Sequence, residues 1–571
     1  MQLIKIFLTF CFFIVPFFAA AQSTYLNQGS KDIHFVERLE IKQQRNNDLN
    51  FSGIRPFNRK MIVTQAQFID SLDRGYVGAA SAGYKTAGIP DLTATDKHNL
   101  QSLLMSNSEW VTMPRTNFMS KRPVLKYFYK TKANLLEINS KDFFLAVNPL
   151  LSFQAGKGSN NDEFLFLNTR GIAVRGMIAR KVGFASFLSE NQERGPKFFR
   201  QRVDSTGAVP GYGFYKPFKK TGYDYFDARG YITFGLAQSI DVQLGYDKNF
   251  IGSGYRSLFL SDWGNSSLFL KLNTRIWKLN YQNLYMELMP QFRKRGDTLL
   301  DRKYAVMHHL SMNVTKWLNI GLFESVIFSR KNHFDFQYLN PIIFYRSVEG
   351  MVGSPDNAFV GMDFKANIAH RFQLYGQFML DEFVLTRIKN DPTYWANKFG
   401  IQLGAKYVDA FGINNLDLQV ETNRVRPFIY SHGDTVANYT HYNQPLAHPL
   451  GANFQEFIGI VNYQPKPKWY IYAKAIYYYQ GLDSAGINYG SDPFKNYRNR
   501  TMEFGFKTGS GLKATCFNSI IRLTYELRQH LFFDVLVQHR SYMLSNAAAK
   551  NNTTYLNAGL RLNMFTRDYD F

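Results

Sequence analysis

The sequence predicts an all-β transmembrane fold: an antiparallel outer-membrane β-barrel of about eighteen strands, preceded by a small α-helical periplasmic segment. Three observations support this. Apolar and polar residues alternate in segments of roughly ten residues, short and long connections alternate, and 52 Phe and 35 Tyr occur among 571 residues. Barrels show these features because each strand has a lipid face and a lumen face, and because aromatic girdles mark both membrane interfaces.

The alternation is clearest in residues 521–528. There every odd-numbered side chain is apolar or aromatic, whereas three of the four even-numbered ones are charged. Successive strand side chains point to opposite faces, so this segment has one apolar face and one charged face. A soluble sandwich contains such a strand occasionally, but recurrence along most of a chain is typical of a barrel. The pattern recurs at residues 240–247, 268–276, 360–368, 399–407, 416–421 and 533–538.

The connections between these segments alternate in length. Short periplasmic turns and long extracellular loops are usual in barrels, and an even strand count places both ends of the barrel on the periplasmic side. Residues 501–517 are assigned to a long loop, with an extra strand at 502–507 as the alternative. Short turns are predicted near 238–239, 278–279, 315–316, 370–371, 464–466 and 529–530, and long loops near 190–224, 247–266, 291–303, 330–358, 382–397, 425–452 and 479–518.

The N-terminus has the pattern of a cleaved signal peptide over residues 1–21, with a basic start, an apolar run and small residues before the cut. The run is shorter than the ~20 residues that span a membrane, which disfavours an anchor. Cys11 lies in this peptide, so Cys516 remains alone, and neither a cystine framework nor a cysteine metal cluster is expected. A mostly helical periplasmic segment is predicted over 22–135, and the barrel over 136–571.

Two local patterns refine these boundaries. Helix starts are expected at Thr64, where Val63 would contact Phe68 as a hydrophobic staple, and at Thr95. At the other end, Phe571 and Tyr569 resemble the aromatic sorting signal on the last strand of bacterial outer-membrane proteins. Leu556 and its apolar neighbours lie on the opposite parity, so a bulge or phase shift is predicted there.

No catalytic site, metal site or cofactor is predicted, and the chain is not expected to be an enzyme. Ser253 lies between two glycines but lacks the strand–elbow–helix context of a nucleophile, and a flexible turn is the better interpretation. His308 and His309 are adjacent, so on a strand they face opposite ways and cannot chelate one ion together.

Charge indicates the class of partner. The net charge is +23, from 67 basic and 44 acidic residues. For an exported chain, this favours anionic glycans or lipopolysaccharide phosphates over nucleic acid. Arg and Lys bind uronate or phosphate oxygens, and aromatic rings can stack on sugars. The alternative is a solvated loop packed by its own aromatic residues. The candidate polysaccharide-binding residues are Arg194, Lys197, Arg200, Arg202, Lys216, Lys219 and Lys220, interleaved with Phe198, Phe199, Tyr212, Phe214, Tyr215 and Phe218.

Two further features concern the barrel interior. Residues 338–357 are too apolar for a disordered loop, and we expect them to fold inward or to pack over the barrel mouth. An eighteen-stranded barrel is wide enough for a channel, in which charges of both signs could line a water-filled pore or pair into a closed network. The predicted lumen-facing charges are Arg229, Lys271, Arg275, Asp363, Lys365, Lys406, Glu421, Lys474, Arg522, Glu526 and Arg528.

Three segments resemble the capsule-assembly Wzi family of outer-membrane proteins, which includes the gliding-motility RemB proteins of Bacteroidetes-type bacteria. They are residues 55–57 (Arg-Pro-Phe), 252–261, and 338–341 with 354–358. The resemblance covers nearly the whole mature chain. It implies an eighteen-stranded barrel with a small periplasmic helical bundle, a lumen narrowed by folded loops, extracellular loops that hold surface polysaccharide, and no reaction.

The predicted function is therefore the anchoring or assembly of anionic capsular or exopolysaccharide at the bacterial outer membrane, in support of capsule attachment, gliding motility or adhesion. Expected partners are outer-membrane lipid, anionic polysaccharide, and motility or surface-export proteins. The alternatives are a porin or transporter for sugars or nutrients and, as a further rival, an outer-membrane hydrolase.

Overall fold

The computed structural model describes residues 23–44, 51–81, 92–113, 116–159, 161–291, 299–342, 344–353, 355–382 and 385–571. The predicted signal peptide, with Cys11, lies outside these residues, as does Ser354. Among the described residues, no helix is both long and apolar enough to cross a membrane.

Eighteen long antiparallel strands of the described chain close into a barrel, which confirms the predicted fold class. The last strand pairs with the first, with Leu562 opposite Leu151 and Tyr555 opposite Gly158. Closure gives both end strands a hydrogen-bonding partner, as a sheet in lipid requires. The strands are β1 Phe143–Gly158, β2 Asn161–Ile178, β3 Val182–Arg194, β4 Gly222–Ala237, β5 Ile240–Asp247, β6 Ser267–Ile276, β7 Leu279–Leu288, β8 Lys303–Asn313, β9 Leu318–Phe328, β10 Asn357–Ile368, β11 Phe372–Glu382, β12 Lys398–Tyr407, β13 Leu416–Val425, β14 Phe454–Lys466, β15 Trp469–Leu482, β16 Leu512–Arg528, β17 Leu531–Leu544 and β18 Asn551–Leu562.

Connections at one end of the barrel are short, and most connections at the other end are long, as the sequence predicted. The turn expected at 464–466 instead lies at 467–468, because β14 continues to Lys466. Residues 502–507 belong to a loop and form no extra strand. The loop predicted over residues 501–517 ends earlier than expected, because β16 begins at Leu512. The long connections are residues 195–221, 248–266, 289–302, 329–356, 383–397, 426–453 and 483–511.

Polarity is inverted relative to a soluble protein. Large apolar side chains such as Leu322, Ile521 and Leu556 are exposed on the outer wall, whereas Lys474 and Glu526 are buried inside. Soluble proteins rarely bury Lys or Glu. The inversion therefore indicates that the outer face meets hydrocarbon and that the lumen holds the polar groups.

Two large apolar clusters in the lumen join inserted segments to the barrel wall. The first joins Phe259 and its neighbours in loop 248–266 to inward side chains such as Met286 and Phe323, and to loop 426–453. The second joins Phe199 in loop 195–221 to Tyr569 near the C-terminus and to inward residues of several strands. Loops from the extracellular end thus fold into the barrel and fill much of its width.

Within the described residues, three α-helices precede the barrel: α1 Lys31–Gln43, α2 Arg59–Ser81 and α3 Ala94–Ser106. They share an apolar core that includes Leu39, Ile69 and Leu103. Their side chains also bond to residues at the short-turn end of the barrel. We refer to residues 23–113 as the plug.

The helix starts were predicted only in part. The cap of α3 is Thr93, whose side chain and that of Asp96 form a capping box, two residues before the predicted Thr95. The start at Thr64 was wrong: α2 begins five residues earlier, and the Thr64 hydroxyl donates to the carbonyl of Lys60. Phe68 is exposed, so the predicted staple does not form.

The terminal aromatic residues were also misplaced by sequence reasoning. Strand β18 ends at Leu562, and the following residues turn into the lumen. Phe571 packs on Phe198 at a ring distance of 6.4 Å. These rings therefore do not lie on the last strand, and the opposite parity of Leu556 is simply the lipid-facing parity of β18.

Candidate functional site

The extracellular rim of the barrel carries the predicted basic loop. Its helix, α4 Lys197–Thr206, buries Phe198, Phe199 and Val203 in the lumen and leaves Lys197 exposed. Gly207 ends the helix in the left-handed conformation at φ 69°, and its N–H bonds to Val203. A short strand, Lys216–Phe218, then pairs with β4 and extends the wall outward. The helix and this strand hold the loop at the mouth.

The seven candidate basic residues divide into two groups. Lys197, Lys216, Lys219 and Lys220 are exposed. The three arginines are engaged by the protein. Arg194 donates to the carbonyl of Phe164 (3.2 Å), Arg200 pairs with Glu163 (3.1 Å), and Arg202 donates to the carbonyl of Pro449 (3.0 Å). Only the four lysines therefore present their charge fully to solvent.

The interleaved aromatic residues are packed against the protein, which matches the alternative of a loop held by aromatic packing. Phe199 lies 5.1 Å from Tyr569, and Phe214 lies 5.4 Å from Tyr442. These rings position the loop and leave little surface for sugar stacking.

Two rim lysines were not identified from the sequence. Lys157 and Lys550 are exposed at the extracellular ends of β1 and β18. Pairing of β18 with β1 brings these ends together and continues the wall toward β3. No local sequence signal marks these lysines, because their position on the rim depends on ring closure.

The predicted lumen-facing charges pair with one another, with the plug or with inserted segments. Of the two arrangements that the sequence left open, they form the closed network and do not line a water-filled pore. Arg528 differs: it is exposed at the end of β16, beyond a register irregularity that disturbs the alternation. The other partners are Asp227 for Arg229, Asn249 for Lys271, the Phe51 ring for Arg275, His309 for Asp363, Glu40 for Lys365, Glu37 for Lys406, the N–H groups of Tyr255 and Arg256 for Glu421, Asp568 and Asp570 for Lys474, Asp568 for Arg522, and Lys31 for Glu526.

The plug is fastened to the barrel by Arg38. Its guanidinium donates to Asp96 (2.7 Å), Asp409 (2.6 Å) and Asp417 (2.5 Å). Burial alone would raise the pKa of Asp96, but Arg38 and Lys42 outweigh it and lower this pKa to about 2. A ring of paired charges thus closes the periplasmic end.

Acid should release the plug. The pKa of Glu37 is lowered to about 2, because Lys406 and Arg55 outweigh the effect of burial. Carboxylates with lowered pKa stabilise the folded state above their unfolded values near 4, and this stabilisation is lost as pH falls toward 2. Pepsin digestion across pH 2–5 should therefore cleave the plug increasingly below about pH 4, with the barrel resistant. Unchanged resistance at pH 2 would contradict this assignment.

A cavity of about 440 Å³ remains between the plug, loop 248–266 and the C-terminal tail. The ammonium of Lys248 lines it and donates to the carbonyl of Gly211 (2.8 Å). Burial lowers the pKa of Lys248 to about 7. The motifs at 55–57 and 252–261 also meet here, because Arg55 pairs with Phe250 and the Gly252 N–H bonds to Gly53 (2.7 Å).

The structure also shows how the adjacent histidines are arranged. Within the described part of the chain, no three His, Cys, Asp or Glu side chains form a group that could hold a metal ion. His309 faces inward and bonds Asp363 at 2.7 Å, whereas His308 faces outward against the Tyr345 ring. The adjacent histidines therefore do face opposite ways.

Comparison with known proteins shows similarity to one family and to several solved barrels. Residues 228–477 match the family described as capsule assembly protein Wzi. No curated protein matches the chain. The fold is similar to that of Wzi from Escherichia coli, described as a carbohydrate-binding β-barrel of the outer membrane involved in group 1 capsule assembly, with a TM-score of 0.55, 11% identity, and coverage of 96% of this chain and 100% of that one.

Two other solved barrels are less similar. OprD from Pseudomonas aeruginosa has a TM-score of 0.40 at 11% identity, covering 73% of this chain and 95% of that one. OccAB4 from Acinetobacter baumannii has a TM-score of 0.39 at 11% identity, covering 74% and 98%. The family match runs from within β4 to within β15, less than half of the chain, and through this segment the chain is similar to the capsule assembly protein Wzi family.

Proposed function

We propose that this protein anchors or helps to assemble anionic capsular or exopolysaccharide at the cell surface, as a binding protein without catalytic activity. The exposed basic rim carries the proposal: loop 195–221 holds six basic residues and one acidic residue, a net charge of +5. Support comes from the family match and from the similarity in fold to a barrel described as carbohydrate-binding.

The mechanism would be multivalent contact with a charged polymer. Each exposed lysine contributes only ~0–1 kcal/mol, because water screens a surface ion pair. Several such contacts on one chain combine, since the first binding event raises the effective concentration of the next. Added salt should weaken attachment, because the charges lie in solvent.

Neutralising the exposed lysines should release polymer. The combined substitution of Lys197, Lys216, Lys219 and Lys220 by Gln is expected to lower polysaccharide retention by whole cells about tenfold, as four weak contacts are lost. The measurement is cell-bound against shed polysaccharide at matched protein levels.

The matched control removes four exposed lysines from the periplasmic end: Lys121, Lys126, Lys141 and Lys181. It should retain polymer normally. Equal retention in both variants would exclude the rim as the binding surface, whereas the similarity to the family would be unaffected.

Two alternative functions, a porin or transporter and a hydrolase, predict different experimental results. Large, steady pores in planar bilayers would favour a porin or transporter, but two apolar clusters and the plug fill the lumen. A hydrolase would depend on one indispensable residue, whereas anchoring gives graded losses across several lysines. Attachment of this kind could serve motility or adhesion through further surface proteins, which would be recognised by co-purification.

A further inference from the structure

The sequence predicted that residues 338–357 fold inward or pack over the barrel mouth. Loop 329–356 does neither. It lies on the outer wall of the barrel. On β7, Leu284 and Met286 belong to the core inside the barrel, so Asn283 and Tyr285 on the alternate parity face outward. The loop residues Tyr338, Tyr345 and Val348 pack against Tyr285 on β7 and against outward residues of β8 and β9. We refer to residues 336–342 and 344–351 as the outer belt; its helix is α5 Tyr345–Met351.

The wall beneath the belt is polar, which is unusual for a lipid-facing surface. Asn283 lies opposite His308 on the next strand, and His308 lies opposite Glu324 on the one after. These three outward side chains form a row across β7, β8 and β9. All three are buried, because the belt covers them.

Hydrogen bonds join the wall to the belt. Asn283 donates to the carbonyl of Pro341 (2.9 Å), as does the Tyr281 hydroxyl (2.6 Å). Glu324 accepts from the N–H of Arg346 (2.8 Å). Irregular backbone is tolerated at membrane depth only where such partners exist. The wall therefore supplies what an irregular segment needs within a membrane.

The belt is fastened at its extracellular end as well. Both terminal N–H groups of Arg330 donate hydrogen bonds to the Asp356 carboxylate, at 2.7 and 2.6 Å. The Tyr338 hydroxyl donates to the same carboxylate at 2.7 Å. Tyr338 and Asp356 come from the two ends of a segment that resembles the family. The clamp joins the two ends of the loop and directs the belt down the wall.

Strand length gives the depth of the belt. Strand β7 has ten residues, Leu279–Leu288. At ~3.3 Å per residue and a tilt of about 40°, it rises roughly 25 Å, the height of the apolar band of a membrane barrel. Asn283 lies mid-strand, so Pro341 above it lies near the middle of the band.

The far side of the belt is apolar. Phe336, Ile342 and Met351 are 78%, 86% and 82% exposed. They continue the lipid-facing surface formed by Leu322 and Met362 on adjacent strands. We propose that the outer belt is embedded in the outer membrane and that these side chains contact lipid acyl chains.

Spin labels test this directly. Ile342→Cys and Met351→Cys are labelled with a nitroxide in the full-length protein and reconstituted at low protein density in phosphatidylcholine–phosphatidylglycerol vesicles. Cys516 is buried, so the unsubstituted protein measures background labelling. Collisions with oxygen should exceed those with a water-soluble nickel chelate at both positions.

Matched positions calibrate the result. Leu322→Cys reports the bare lipid-facing wall, and Lys220→Cys reports water. The proposal requires both belt labels to behave like Leu322→Cys. Labels that favour the nickel chelate would place the belt in water, and labels shielded from both reagents would indicate a cover of protein, such as a second copy of the chain. Either result overturns the proposal and leaves the rim function untouched.

Discussion

Replacing Arg38 with methionine should detach the plug from the barrel. Arg38 is only 3% exposed, and its removal leaves Asp96, Asp409 and Asp417 without their shared cation. Breaking a buried ionic cluster by removing one partner costs ~3–5 kcal/mol, because the remaining charges stay buried with too few partners; here Lys42 alone would be left beside Asp96 and Asp409. Limited proteolysis in detergent should therefore cleave within residues 23–113 while the barrel remains intact.

The same segment offers a matched control. Arg74 pairs with Asp70 at 2.5 Å on α2, but its side chain is mostly exposed. Its replacement by methionine should cost at most ~1 kcal/mol, because solvent screens the pair. If the Arg38 variant resists protease as well as the Arg74 variant, the cluster does not hold the plug.

Replacing Lys474 with methionine should free the C-terminal tail from the lumen. The buried ammonium donates to Asp568 (2.9 Å), to Asp570 (2.9 Å) and to the Tyr255 hydroxyl (2.6 Å). Burial alone would raise the pKa of Asp570, but Lys474 and Arg256 together outweigh it and lower this pKa. Without it, the buried Asp570 and the partly buried Asp568 lose a shared cation, at a cost of ~3–5 kcal/mol.

Trypsin reports the release of the tail. Arg567 is bound to Glu193 at 3.1 Å in the folded lumen, and is protected there from cleavage. Cleavage after Arg567 should be fast in the Lys474 variant and slow in the wild type. Lys513→Met, which removes an exposed lysine from the neighbouring strand β16, should resemble the wild type. Equal protection in all three proteins would show that the tail does not depend on Lys474.

Prediction succeeded where the signal was local. Period-two alternation located most strands, because each strand responds to its own lipid and lumen faces. It did not locate the start of α1, whose apolar residues Phe35, Val36 and Leu39 lie among many charged ones. This helix is held by contacts with β10, β12 and β13, through Lys365, Lys406 and Asp417. Those contacts are invisible in the local sequence.

The sequence predicted the type of the candidate binding residues, but only partly which of their side chains are exposed to solvent. Local composition marked the basic loop, and the four lysines that protrude from it are exposed. Nothing local indicated that Arg200 would pair with Glu163, or that Arg202 would reach Pro449, 247 residues away. Such partners arise only when distant strands meet on the rim.

By itself, the sequence determined the barrel, its approximate strand number and the side of the longest loops, since these follow from alternation and spacing along one strand at a time. Only the tertiary structure decided what fills and surrounds that barrel: a plug beneath, folded loops and a tail within, and a belt outside. The physical reason is that these contacts join residues that lie far apart in the sequence. Arg38 and Asp417 lie 379 residues apart, and their pairing depends on closure of the whole ring.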